Sequence, residues 1–516
     1  MQTPTHSLRV ALIEAGSPGL NIYSQIAMGR GAAMLATVAC DAGHEVRAFV
    51  EDVSGKGSVD WDFVREADVV GFSTITCTLS RTAELVAEVR RANPTAVVVL
   101  GGPEPTCATE RAFEAGADYV IRGEAELSFL AFLRALGERD PLTRHEAIRT
   151  VEGICWRENG ILREGPPVRQ LTRDEVCALP IIDNSLVLDA DKRTTGLVWR
   201  SRGCPQRCDF CEVCEIWPRY VLRDEETSVE ELMHAQDEPC DGVFLIDDNA
   251  AANKPSFKRF LRSAIERGYR KPIVVQMRAD AAFDRDGRLD RELLRMLRDI
   301  APFTIVCVGV ESASDESLAE VNKRVDATRM ARALKAMRRY GLLVHGMMIA
   351  FATDTRDTLH RNGDYARRYL STLQYLFETP LPGTKRTAEH EREGRIMWRE
   401  VAELKFLDGM HVALRPLHMS PREMQELVAA EYQRFYSKAR IIGAFLGGLF
   451  LRYRLLSPAQ RAYLRQLRPL KRLRVWFRYH LDYKFAPWAL LLVGRRRVQE
   501  FMRDAEYAAY LEQLEG

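Results

Sequence analysis

Ser201-Arg-Gly-Cys-Pro-Gln-Arg-Cys-Asp-Phe-Cys211 places three cysteines, Cys204, Cys208 and Cys211, on one short segment. Leu197 to Ser201 reads as a strand, so the cysteines fall on the loop that this strand feeds. Iron–sulfur clusters are held by cysteine thiolates, usually four. Three at Cys-x3-Cys-x2-Cys spacing leave one iron of a 4Fe–4S cluster without a protein ligand and open to chemistry. Zinc is the other reading of clustered cysteines. Cys214 would complete a four-sulfur set, but all four would lie within eleven residues, cramped for a tetrahedron.

Outward from this loop, strand-like runs end in polar residues. Gly242 to Ile246 precedes Asp247-Asp248-Asn249, and Ile273 to Met277 precedes Arg278 and Asp280. Thr304 to Val310 leads to Glu311-Ser312, Val344 to Ile349 to Thr353 and Asp354, and Leu373 to Glu378 to Pro380-Leu-Pro-Gly-Thr384. Amphipathic stretches such as Asp290 to Arg298 and Thr328 to Tyr340 fill the gaps. The alternation over 196–400 predicts a partial (β/α)6 parallel barrel with its chemistry at the carboxyl ends of the strands. Carboxylates at strand ends also serve as helix N-caps, a rival reading for each one taken singly.

Toward the N-terminus the same alternation recurs. Leu8 to Ile13, Glu45 to Val50, Asp68 to Ser73, Ala96 to Leu100 and Ala117 to Ile121 read as strands, and Met28 to Ala42 and Ser80 to Ala92 as helices. The fold class expected for 1–140 is α/β, a doubly wound Rossmann-like sheet. Ligands then bind at the loops Glu14 to Leu20, Ser73 to Ser80 and Gly101 to Thr106. Residues 141–195 read as an ordered connector, with a hairpin at Asn159-Gly160. Cys155 and Cys177 there read as packed thiols. Residues 401–516 read as an α-helical region.

The cysteine spacing, with Phe210 before the last cysteine, resembles the signature of radical S-adenosylmethionine (radical SAM) enzymes. The resemblance implies that the open iron chelates S-adenosylmethionine and that an electron from the cluster yields a 5′-deoxyadenosyl radical. It implies S-adenosylmethionine contacts at Phe210, Asp247, Asp248, Arg278, Asp280, Glu311 and Ser312, with Asn249 and Gln276 weaker candidates. No catalytic residue is assigned beyond the cluster. Ala42-Gly-His-Glu-Val46, Gly71-Phe-Ser-Thr74, Gly101-Gly-Pro-Glu-Pro-Thr106 and Gly123-Glu-Ala-Glu126 look like the cobalamin-binding domain that precedes many radical SAM domains. By position, Ser73, Thr74, Gly101, Gly102 and Glu104 would meet the cobalamin, small residues letting a planar ring approach the backbone. Two departures stand out: Glu104 where His often follows Gly-Gly-Pro, and no Asp-x-His-x-x-Gly to supply an axial histidine. A vestigial domain serving as a lid is the alternative. Phe406-Leu-Asp-Gly-Met-His411 looks like the segment that follows the barrel in this class, which includes C-methyltransferases, lipid-modifying enzymes and the anaerobic magnesium-protoporphyrin cyclase. His411 and His418 can reach substrate or serve as structural hydrogen-bonders.

Bulk properties fit this reading. A 516-residue chain with 46% hydrophobic and 28% charged residues is that of a multidomain globular protein. Eleven cysteines and no signal peptide point to a reducing cytoplasm. Net charge is only +2, but Lys438 to Gln499 holds fifteen Lys/Arg against one acid, Asp482. With the apolar run Ile441 to Leu451 and with Trp476, Phe477, Tyr479, Tyr483, Phe485 and Trp488, it suits helices lying on the inner face of a membrane. A solvated helical cap and RNA binding are the rivals; Leu446, Leu449, Phe450 and Leu490 to Leu492 favour lipid over nucleic acid.

The expected activity is hydrogen abstraction from an unactivated carbon of a hydrophobic, lipid-like substrate. Cobalamin-dependent C-methylation is expected if cobalamin binds, and coupling, cyclisation or desaturation if it does not. A flavodoxin or ferredoxin is the expected reductant. Rivals are a tRNA methylthiotransferase with a second cluster on Cys40, Cys77 and Cys107, and a non-catalytic corrinoid or redox sensor. Cys40 falls inside a predicted helix, against the former.

Overall fold

The computed structural model describes residues 7–18, 29–450, 461 and 464–514. Two compact units emerge: Met1–Thr194 with Phe210–Val221 and Thr379–Asp408, and Thr195–Asp209 with Leu222–Glu378 and Gly409–Gly516. Gly19 and Leu20 of the expected ligand loop, and Met28 of the expected helix, lie outside the described residues.

The first unit is built on β1 (Arg9–Glu14), β2 (Glu45–Val50), β3 (Val69–Ser73), β4 (Val97–Gly101), β5 (Tyr119–Ile121), β6 (Ile154–Glu158) and β7 (Ile161–Glu164). These form one sheet in the order β2-β1-β3-β4-β5-β6-β7. β1 to β5 are parallel, and the β6–β7 hairpin adds antiparallel to β5. The continuous apolar runs of β1, β3 and β4 are buried, as a sheet covered on both faces requires. α1 (Arg30–Asp41), α2 (Leu79–Ala92) and α3 (Ala125–Leu136) supply the cover. Strand order reverses between β1 and β3, and that switch point is where doubly wound sheets bind ligands. Asn159 and Gly160 both have positive φ, 53° and 79°, the geometry a two-residue hairpin turn needs.

The second unit holds β8 (Thr195–Val198), β9 (Gly242–Leu245), β10 (Ile273–Gln276), β11 (Thr304–Glu311), β12 (Leu343–Ala350) and β13 (Thr372–Phe377), a parallel sheet in sequential order. α4 (Glu225–Asp237), α5 (Lys254–Glu266), α6 (Arg291–Asp299), α7 (Ala327–Arg339) and α8 (Arg356–Tyr369) make the crossovers. Asp290, expected as the first residue of α6, is its N-cap and accepts from Leu293 N–H. The strand expected over Leu197 to Ser201 breaks at Trp199: β8 ends at Val198, and Ser201–Arg202 pairs instead with Val221–Leu222. The cause is Asp247, whose Oδ1 takes the N–H groups of Arg200 (2.6 Å) and Ser201 (3.0 Å) out of the ladder.

The outer edge of β13 is closed by two tyrosines from α9 (Pro421–Phe435) and the residue after it. Tyr432 Oη accepts from Tyr375 N–H, and Tyr436 Oη accepts from Leu373 N–H and donates to Leu373 O. An edge so covered offers no row of free backbone groups for pairing. α10 (Lys438–Phe450), α11 (Pro469–Arg503) and α12 (Ala505–Gln513) complete the chain. No helix of the described residues is long and apolar enough to cross a membrane.

Candidate functional site

Cys204, Cys208 and Cys211 are half-buried thiols on the loop after Ser201–Arg202. The loop leaves the second unit after Asp209 and enters the first at Phe210, so Cys211 belongs to the first. Three peptide units span at most about 11 Å, so chain connectivity alone keeps Cys211 within cluster reach of Cys208. Among the described residues no three Cys, His, Asp or Glu side chains gather about a single metal ion. A donor set of three accessible thiols on one loop suits a cluster ligated one cysteine per iron.

The loop's position is set from both sides. Ahead of it, Trp199 is buried with the guanidinium groups of Arg202 and Arg223 within 4.7 Å of its ring centre, and Arg223 pairs with buried Glu231. Beneath it, the turn at 321–324 clasps the backbone: Asn322 Nδ2 donates to Arg207 O (2.7 Å) and Asp209 N–H to Val321 O (3.3 Å). Asn322 and Arg324 both take positive φ to make this turn. Between them Lys323 reaches Glu311 Oε1 at 2.6 Å, a pair in which each side chain is 8% exposed. Glu311 itself has φ 60°, and its carboxylate folds back over Gly309, where a Cβ would lie 2.3 Å from Oε1. Burial pushes the Cys208 thiol up, while Lys323 and Arg278 pull against that shift.

The other expected S-adenosylmethionine contacts divide into two kinds. Half-buried Asp248, Arg278 and Asp280 stand at strand ends, with Arg278 bidentate to Asp280 and donating to Lys323 O. Asn249 is buried, its Nδ2 4.0 Å from Cys204 Sγ and its Oδ1 without a hydrogen bond among the described residues. Gln276 donates to Asp248 O. Asp247 and Ser312, in contrast, are fully enclosed. Asp247 serves Arg200 and Ser201. Ser312 Oγ is 3.2 Å from Asn362 Oδ1 and accepts from Ser314 N–H.

Asp354, at the carboxyl end of β12, is 1% exposed. Its Oδ2 accepts from Phe351 N–H, and its Oδ1 has no hydrogen bond among the described residues. Burial pushes this carboxyl up to about 6, with Glu378 and Glu320 adding to the effect. A carboxyl raised in the folded state binds its proton more tightly there than in the unfolded chain. Its contribution is therefore present at low pH and lost as pH rises through about 4 to 6. Asp354→Asn is expected to raise the melting temperature at pH 8, by the equivalent of about 1–3 kcal/mol, and to flatten the profile between those pH values. Thermal melts of both proteins across that range check it.

In the first unit, the expected cobalamin contacts also separate. Ser73, Gly101 and Gly102 are half-open at the ends of β3 and β4. Thr74 and Glu104 are fully buried. Glu104 accepts from Thr76 Oγ1 (2.6 Å) and Arg111 Nη1 (3.1 Å), which fixes the loop instead of presenting a free carboxylate. Gly102, at φ 106°, is glycine because a Cβ would lie 2.6 Å from Thr74 O. The glycine serves the close approach of two loops, not only that of a ligand. At the switch point the carboxyl of half-buried Glu14 is pushed up to about 8 by burial and by Asp52, against one hydrogen bond from Ala32 N–H. Glu51 beside it is held below the usual carboxylate range: burial opposes, but Arg81 and the N–H groups of Gly16 and Gly57 outweigh it. A near-neutral carboxyl with half-open small residues around it fits the amide-fringed edge of a corrin.

Cys40 lies exposed on α1, Cys77 is buried with its thiol raised by burial, and Cys107 is pushed up to about 12 by burial and nearby glutamates. His411 is enclosed by the rings of Phe501, Tyr507 and Tyr510, whereas His418 is exposed. Arg200, Lys323 and Asn362 escape sequence reading because they act across 47, 12 and 50 residues of chain.

Two families match: "B12 binding domain" over residues 23–133 and "Radical SAM superfamily" over 200–365. The chain belongs to the radical SAM superfamily, in the class of enzymes with a B12-binding domain ahead of the radical SAM domain. Its relatives include an uncharacterised methyltransferase of Pyrococcus horikoshii, 24% identical over 73% of this chain and 80% of that protein. The hopanoid C-3 methylase of Methylococcus capsulatus is 24% identical over 80% and 78%. The anaerobic magnesium-protoporphyrin IX monomethyl ester cyclase of Cereibacter sphaeroides is 23% identical over 78% of this chain, which spans 65% of the cyclase. Among solved structures, the radical S-adenosylmethionine methyltransferase TsrM of Kitasatospora setae, with cobalamin and [4Fe-4S] cluster bound, superposes with a TM-score of 0.63, 15% identity, over 95% of this chain and all of that one. That likeness establishes the shared fold.

Proposed function

We propose that this enzyme is a cobalamin-dependent radical SAM C-methyltransferase that abstracts hydrogen from an unactivated carbon of a hydrophobic, lipid-like substrate. The observation that carries the reading is the presence, in one chain, of a three-cysteine loop following the first strand of a parallel barrel and an open switch point in a doubly wound sheet. Residues 1–140 would form the cobalamin module, 141–195 the connector, 196–400 the barrel and 401–516 the C-terminal region. Cys204, Cys208 and Cys211 would hold a 4Fe–4S cluster, which supplies the electron that cleaves S-adenosylmethionine. Cobalamin, when bound, supplies the methyl group.

The residues around the cluster loop divide the remaining work. Asp248, Arg278, Asp280 and the Glu311–Lys323 pair would orient S-adenosylmethionine, with Phe210 as an apolar wall. Asp247 and Ser312 would act behind them by holding the strand ends. Ser73, Gly101, Gly102 and Glu14 would meet the cobalamin, with Thr74 and Glu104 fixing their loops. A hydrophobic substrate is supported by the hopanoid methylases among the relatives. The first unit also holds a cavity of about 440 Å³ that combines apolar Leu162, Ile396, Trp398 and Leu407 with charged Arg111 and Glu164, room for a substrate with both apolar and polar parts. A flavodoxin or ferredoxin would be the reductant.

Anaerobic reconstitution with iron, sulfide and hydroxocobalamin, followed by desalting and metal analysis, tests the reading. About four irons and one cobalt per chain are expected. A cluster without cobalt would overturn the methyltransferase and leave cyclisation or coupling. Gly102→Val, which puts a branched side chain against Thr74 at a positive φ, is expected to abolish cobalt retention and leave iron unchanged. Equal cobalt in that variant would remove the β4 loop from the cobalamin site.

A further inference from the structure

In α10, Ile442, Phe445, Leu446 and Leu449 recur at i, i+3, i+4 and i+7, the spacing that normally turns an apolar stripe toward a core. Here they are 57%, 38%, 47% and 50% exposed. Gly443 and Gly447, on the same helix, have open space where a side chain would stand, among the described residues. The helix is nevertheless anchored. Ile441 is buried, and Arg440 lies over the Phe435 ring and donates to the carbonyls of Arg367 and Leu370. Ile442, Leu446 and Leu449 thus face solvent, with Phe445 at the edge of the stripe.

α11 packs beside α10, with Phe445 in ring contact with Phe485 and Trp488 at 5.5 Å. Its first turns repeat the pattern: Leu470, Leu473 and Phe477 are 85%, 56% and 51% exposed. Exposed Arg468, Lys471, Arg472 and Arg474 alternate with them. Scattered exposed leucines need no explanation, but two adjoining helices that present apolar stripes edged with arginine do.

We propose that α10 and α11 form a docking surface for an anionic lipid bilayer, with the apolar stripes entering the headgroup–acyl boundary and the arginines meeting lipid phosphates. The charge decides the occupant. With fifteen Lys/Arg and one acid over 438–499, two copies of this face would repel each other, whereas anionic lipid complements it. Five of the seven stripe residues are aliphatic, and Phe445 is already in ring contact with Phe485 and Trp488, so the stripes give RNA bases few faces to stack on, which favours lipid over nucleic acid. The surface takes its purpose from the reading of a lipid-like substrate, which would then be met where it is dissolved.

The test is co-sedimentation of the full reconstituted protein with vesicles of phosphatidylcholine alone or mixed equally with phosphatidylglycerol. Binding to the mixed vesicles only, weakened by salt, is expected. Lys471→Gln/Arg472→Gln/Arg474→Gln should bind on the order of a hundredfold more weakly. Leu446→Asp/Leu449→Asp should lose binding even at low salt, with an unchanged melting temperature and an unchanged yield of 5′-deoxyadenosine from S-adenosylmethionine in solution. No binding to mixed vesicles, binding indifferent to Leu446→Asp/Leu449→Asp, or displacement of the protein from vesicles by single-stranded RNA would overturn the proposal. None of these readouts depends on the methyl transfer, so failure here and failure of the proposed function are separable.

Discussion

Cys208→Ala is expected to lower bound iron from about four per chain to a small residue, to abolish cleavage of S-adenosylmethionine, and to leave cobalamin uptake intact. The reasoning is stoichiometric. In the proposed cluster each thiolate would hold one iron, and two thiolates would leave two irons without protein ligands. Reductive cleavage needs the cluster, so loss is expected to be complete rather than graded. Folding should survive, because Cys208 is a half-buried loop residue and its loop is held by Asn322 and Val321 through backbone groups. The control is Cys214→Ala. Cys214 is 7% exposed on the short helix Val213–Ile216, and the cluster reading gives it no ligand role. Iron, sulfide and zinc analysis of the two variants decides the matter. If Cys214→Ala loses metal as completely as Cys208→Ala, the four cysteines form a zinc set and the radical reading falls.

Why the cysteine loop was legible while its surroundings were not has a physical answer. A ligand set within eight residues is local, and so is a hairpin turn at Asn159-Gly160. Buried parallel strands such as Val69–Ser73 announce themselves by unbroken apolar runs. By contrast, sequence shows Asp247 and Asp248 as equals. Adjacent residues leaving a strand point to opposite sides, so one must turn inward, and only the fold selects which. The break at Trp199 follows from that choice, made 47 residues away. Lys323 carries no periodic signal at all: it lies in a turn and gains its meaning from Glu311, itself turned back by a positive φ. Position alone makes Glu104 a cobalamin contact; its partners Thr76 and Arg111, which give it a part in holding the loop, come from residues 28 positions before and 7 after it. The basic, apolar C-terminal helices were legible in composition, but exposure of the Ile442 stripe is a fact of packing.

Asp247→Ala is expected to destabilise the second unit by about 3–5 kcal/mol, the scale seen when one partner of a buried pair is removed. Three losses coincide. The N–H groups of Arg200 and Ser201 lose their acceptor in a site where water cannot replace it. The Arg200 guanidinium, 3% exposed, keeps Ala250 O, Ser256 Oγ and the rings of Phe257 and Phe260 among the described residues. The bend that turns the chain from β8 toward the cysteine loop is then unsupported. Against a total stability of about 5–15 kcal/mol, this shift is large enough to lower the melting temperature by many degrees and to impair cluster loading secondarily. Asp247→Asn keeps an acceptor for both N–H groups but turns an amide toward Arg200, so its loss should be smaller, about 1–3 kcal/mol. A graded fall in melting temperature, alanine below asparagine below wild type, measured before any iron is added, is the expected result. If both variants melt like the wild type yet bind S-adenosylmethionine poorly, Asp247 contacts the ligand and not the fold. The same pair of measurements thus separates a residue that builds the site from one that touches what it holds.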